Sequence, residues 1–142
     1  MDIRTIHRNC PLHTFETEGE CDRTMMGICS DIAVNAGIPM AYITSRHTAV
    51  EFCKLLAKYC GFDNLEKLSK APLCIVDGIK TTSIETSTED IMLDILSTIR
   101  SLAARGCKLV ILDGFVHATA PFAALAAELG ISMSAVIIKN NQ

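Results

Sequence analysis

The chain sets short, nearly continuous apolar runs between stretches in which apolar residues return every three or four positions. Leu12-His13-Thr14-Phe15-Glu16 alternates like a short strand, and residues 1–11 before it read as an N-terminal extension or edge strand. From Arg23 to Ala36, Met25, Met26, Ile28, Cys29, Ile32, Ala33 and Ala36 recur at helical spacing, with Asp22 as the expected N-cap and Gly37 as the stop. Met40 to Thr44 predicts a strand begun after Pro39. Thr48-Ala49-Val50-Glu51 has the capping-box form, in which hydroxyl and carboxylate each satisfy an orphan N–H at a helix start. The helix it opens carries Val50, Phe52, Cys53, Leu56 and Ala57 and ends at Gly61.

The second half repeats the alternation. Asn64 to Lys70 predicts one short helix closed by Pro72, and Leu73-Cys74-Ile75-Val76-Asp77 a strand covered on both faces. Ser87-Thr88-Glu89-Asp90 opens a helix with Ile91, Ile95, Ile99 and Leu102, running towards Gly106. Lys108 to Asp113 repeats the buried strand ending in an acid, Pro121 to Leu129 is an alanine-rich helix stopped by Gly130, and Met133 to Ile138 is a last strand. Strands alternating with helices imply βαβ units: an α/β fold, a three-layer parallel sheet with helices on both faces. Such sheets bind ligands beyond the carboxyl ends of their strands, which gathers residues 17–24, Ser45 to His47, Asp77 and Asp113 at one edge.

Composition narrows the functions open to this fold. A length of 142 residues with 49% apolar and 20% charged residues suits one domain, residues 1–142, with a sizeable core. The net charge of −3 and the lack of any Lys/Arg run give no sign of a nucleic-acid surface. No apolar stretch is long enough to span a bilayer and the N-terminus begins with charge, so a cytoplasmic protein without a membrane partner is expected. Seven cysteines, odd in number and without a C-x-x-C pair, read as reduced packing residues, and no metal site is expected.

Three stretches carry a resemblance. Ala71 to Asp77 followed by Ser83-Ile84 and Glu89-Asp90-Ile91, then Lys108 to Asp113, then Phe122 to Ile131, resemble in order and spacing the RecA-like ATPase core of bacterial hexameric replicative helicases. The similarity runs over residues 12–142 and implies RecA-like P-loop NTPase topology. In that frame Lys108 to Asp113 looks like the Walker B strand, and residues 17–24 take the place of G-x-x-x-x-G-K-[S/T]. Such a loop binds phosphate through converging backbone N–H groups, a lysine and a magnesium-binding hydroxyl. Here Thr17 stands for the first glycine, Asp22 for the second and Arg23 for the lysine, while Thr24 matches and Gly19 lies inside the loop. Glu18, Glu20 and Asp22 bring carboxylates to where a triphosphate would lie.

The resemblance also places Arg46 where the family has the glutamate that orients the attacking water, with His47 beside it as a conceivable base. Asp113 could hold magnesium through water, although one carboxylate normally needs the substrate phosphates as well, or it could cap the turn at Gly114. The chain ends at Gln142, before the segments that in the family supply the later DNA-binding loop and the arginine finger. The degenerate nucleotide or anion site is therefore Thr17, Gly19, Asp22, Arg23, Thr24, Arg46, His47 and Asp113, with no catalytic residue, no expected cofactor and at most weak ATP and magnesium binding. The expected function is a non-catalytic module acting by protein interaction or oligomerisation, in the setting of a replication or mobile-element ATPase. The alternative is a nucleotide or small-anion binder or enzyme with a remodelled loop.

Overall fold

The apolar runs at 40–44 and 109–113 lie side by side at the centre of a five-stranded parallel sheet in the computed structural model, which describes residues 10–77, 88–114 and 119–139. The elements are β1 (Leu12–Phe15), α1 (Glu18–Cys29, continued by a π-helical turn over Ser30–Asn35), β2 (Met40–Thr44), α2 (Ala49–Cys60), α3 (Phe62–Leu68), β3 (Leu73–Val76), α4 (Thr88–Ala104), β4 (Leu109–Asp113), α5 (Thr119–Leu129) and β5 (Ser132–Ile138). Sheet order is β1-β5-β4-β2-β3.

Period-two alternation divides the core into two layers, as an α/β sheet covered on both faces requires. Met40, Tyr42, Ile111, Val136 and Ile138 face Met25, Met26 and Cys29 of α1 and Phe52 and Leu56 of α2. On the opposite face Ala41, Ile43, Val110, Leu112 and Ala135 meet Ile95 and Ile99 of α4 and Phe122 and Ala126 of α5. The α/β class and the three layers are as the sequence predicts.

Topology locates the candidate edge. From β2 the chain steps outward to β3, returns to β4 on the other side of β2, and steps outward again to β5. The winding direction reverses between β2 and β4, so their carboxyl ends open the crevice where doubly wound sheets hold ligands. Thr44 and Asp113 are register partners at that point.

Two sequence expectations are corrected. The apolar run 73–77 forms an edge strand, with Cys74 exposed and its neighbours only partly buried, because β3 pairs on one side alone. Cys74 is therefore not a core cysteine. The first helix begins at Glu18, five residues before the expected Arg23, with Thr17 rather than Asp22 as its N-cap. The Thr17 hydroxyl accepts from Glu20 N at 3.1 Å, and the Glu20 carboxylate accepts from Glu16 N at 3.3 Å. Thr17-x-x-Glu20 is thus a capping pair that draws residues 18–24 into helix. Asp22 becomes an interior helical residue, which turns its side chain inwards.

Candidate functional site

The crevice between β2 and β4 is built from the turn that follows β2. Ser45 N donates to Asp113 O at 3.1 Å, and the buried Thr44 hydroxyl accepts from Arg46 N at 3.0 Å and His47 N at 3.4 Å. These bonds fold residues 45–47 back over the end of β4. Gly114 makes that approach possible, with φ +97° and Ser45 Oγ 2.2 Å from where a Cβ would stand.

Arg46 lies across the crevice. Its Nε donates to Asp113 Oδ1 at 2.6 Å and its Nη2 to Asp113 Oδ2 at 2.8 Å, the two-pronged geometry that makes arginine–carboxylate pairs strong. Nη2 also donates to Asp22 Oδ1 at 2.8 Å, while Glu18 Oε1 stands 3.6 Å from Nη1. Tyr42 OH donates to Asp113 Oδ2 at 2.5 Å, so both carboxylate oxygens are occupied. The Asp113 side chain is 1% exposed, and Arg46, Asp22 and His47 no more than 12%. His47 Nε2 lies 2.9 Å from Asp22 Oδ1 and Nδ1 lies 3.4 Å from Glu51 Oε2, so the ring bridges α1 and α2 at the mouth of the crevice.

Electrostatics keep this cluster closed. Burial works against the Arg46 cation, but the hydrogen bonds and charge of Asp113, with Asp22, outweigh it and hold the guanidinium pKa above its ordinary value. Burial first, then the charge and hydrogen bond of Asp113, push the Tyr42 phenol up, so it serves as a neutral donor. Cys21 Sγ is 3.5 Å from Arg46 Nη2, yet burial, with the nearby Asp113, raises the thiol to about 12. A thiol held in that state is not a nucleophile near neutrality.

Of the residues singled out from the sequence, Asp22, Arg46, His47 and Asp113 converge. The others do not. Thr17 caps α1, and Gly19 has ordinary helical surroundings with open space at its Cβ position. Arg23 and Thr24 are exposed on α1, and Arg23 makes no ion pair among the described residues, so it does not take a phosphate-binding lysine's place over the crevice. The helix brings Asp22 inwards instead, and the cation in the crevice comes from Arg46. Asp77 caps α2, its Oδ2 accepting from Ala49 N at 2.6 Å. Of the chain's other three histidines, His13 is exposed on β1, and His7 and His117 lie outside the described residues.

Sequence reasoning missed Tyr42, Thr44 and Glu51. Tyr42 carried a usable signal, since a phenol at the centre of an apolar strand needs a polar partner. Period two then places it on the face of Thr44, opposite Asp113.

Comparison with protein-family models and with curated proteins finds no match to the chain.

Proposed function

We propose that the protein is a non-catalytic α/β module, RecA-like in layout, that acts by binding protein or by associating with itself. The observation that carries this reading is Arg46 lying in the crevice with its Nε and Nη2 donating to Asp113 and Asp22. Where a doubly wound sheet would hold a ligand, the chain holds its own side chain. Three further features agree. Residues 18–24 are helical and lack the turn of converging N–H groups that a triphosphate needs. Glu18 and Asp22 point carboxylates at the place of an incoming anion. Among the described residues, the two buried carboxylates of the crevice, Asp113 and Asp22, are both ion-paired, so neither stands free to orient an attacking water. Kinship to helicase cores rests on the order of strands and helices in the sequence, and makes a replication or mobile-element ATPase the natural kind of assembly for such a module.

One observation favours a second reading, a remodelled small-anion site. Among the described residues Arg46 Nη1 is buried without a hydrogen-bond partner, and it faces the Glu18 side of the crevice mouth. An anion displacing Glu18 would meet that donor. Titration calorimetry of the full chain with Mg-ATP, Mg-ADP and inorganic phosphate separates the two readings. The interaction-module reading expects no binding tighter than millimolar for any of them, and micromolar affinity for ATP overturns it.

A further inference from the structure

Helix α2 is apolar on two sides. Phe52 and Leu56 enter the core, while Val50, Cys53 and Ala57, with Phe62 at the start of α3, line an outward groove of about 570 Å³. Val50 is 64% exposed and Phe62 80%. A surface helix needs one apolar stripe, and this one carries a second with nothing packed on it among the described residues. Lys54 and Lys58, one helical turn apart, line the same groove, and Lys54 makes no ion pair among the described residues. The groove therefore suits an apolar side chain flanked by carboxylates. It does not suit itself, since a two-fold contact of groove on groove would set lysine against lysine.

The chain carries the complementary feature on the other side of the sheet. Leu93 of α4 is 60% exposed, with Asp90 and Asp94 exposed beside it at i−3 and i+1. The exposed Ser97 at i+4 is small enough to let a second helix come close.

Resting on the reading of the protein as an interaction module, we infer that these faces are the two halves of one self-association contact. The α2 groove of one copy receives Leu93 of the next, and Asp90 and Asp94 meet Lys54 and Lys58. Because α2 and α4 cover opposite faces of the sheet, the contact is heterologous and each copy keeps one half open, so assembly continues into chains or rings.

Sedimentation velocity of the full chain over a range of concentrations tests this. The weight-average mass is expected to rise above the 15.4 kDa of the monomer as concentration increases, and less steeply at high salt. Lys54→Glu/Lys58→Glu and Leu93→Asp alter surface positions only, and each is expected to remain folded by circular dichroism and monomeric. Mixed, they are expected to form a heterodimer that grows no further, because the first contributes an intact α4 face and the second an intact groove. A wild-type chain that stays monomeric overturns the inference, as does association that both variants retain or a mixture that fails to pair. Nucleotide calorimetry is independent of these outcomes, so loss of the contact leaves the reading of the crevice standing.

Discussion

Arg46 and Asp113 meet through two parallel N–H···O bonds of 2.6 and 2.8 Å at the point where the sheet reverses its winding. Removing one partner leaves the other charged and buried. Arg46→Met is therefore expected to cost about 3–5 kcal/mol, a large part of the ~5–15 kcal/mol that holds a domain together. Arg46→Met/Asp113→Asn should recover part of that loss, because the amide removes the stranded charge while still accepting from Tyr42. Urea denaturation of the two single variants and the double measures the coupling, and simple additivity would refute the pairing.

Gly19 distinguishes a capped helix from a phosphate loop. In a loop, glycine is needed so that the backbone can turn and approach an anion. In the structure Gly19 is the second residue of α1, with nothing near its Cβ position. Gly19→Ala is expected to stabilise the chain by up to ~1 kcal/mol, and Thr17→Ala to destabilise it by about 1 kcal/mol through loss of the cap. Thermal unfolding midpoints moving in opposite directions bear this out. A loss on Gly19→Ala would return residues 18–24 to a loop.

The same comparison explains what the sequence made legible. Strands β2, β4 and β5 announced themselves because nearly every residue in them is apolar, and Thr48-x-x-Glu51 marked the start of α2 to the residue. Thr17-x-x-Glu20 is the same device, but reading residues 17–24 as a phosphate loop hid it and moved the helix start to Arg23. That error placed Asp22 at a helix end and Arg23 in the site. Arg46, His47 and Asp113 were legible because strand ends collect at one edge of a parallel sheet. Their pairing was not, since it depends on Thr44 standing opposite Asp113, and register between strands far apart in sequence leaves no local mark.

Gly114 is the opposite case to Gly19. At φ +97° a side chain is strained whatever space it has, and here a Cβ would also fall 2.2 Å from Ser45 Oγ. Gly114→Ala is expected to cost about 2 kcal/mol or more, combining backbone strain with displacement of the turn that carries Arg46. Ser45→Ala/Gly114→Ala removes the colliding oxygen but leaves the strained φ, so it should recover only part of the loss. Full recovery would mean that the conformation at residue 114 carries no strain.

Stability should fall in alkali, and the buried thiols set the window. Burial raises Cys10 from its ordinary 9.0 to about 11, and Cys21 and Cys29 to about 12. Below pH 9 all three are protonated in both the folded and unfolded states, and their contribution is fully present. Between about pH 9 and 11 the unfolded chain gives up protons that the folded chain retains, so each step up in pH favours unfolding. At about pH 10 each thiol accounts for a loss on the order of 1 kcal/mol. Tyr42, raised by burial and Asp113, acts in the same direction above its ordinary 10.0, while the raised Arg46 guanidinium keeps its stabilisation throughout this range and loses it only in stronger alkali. Urea midpoints in reductant at about pH 8, 9 and 10 should therefore decline with increasing slope, and the slope should ease in Cys21→Ala and Cys29→Ala. A flat profile would mean that these thiols ionise in the folded protein, which packing of Cys21 and Cys29 beneath α1 does not allow.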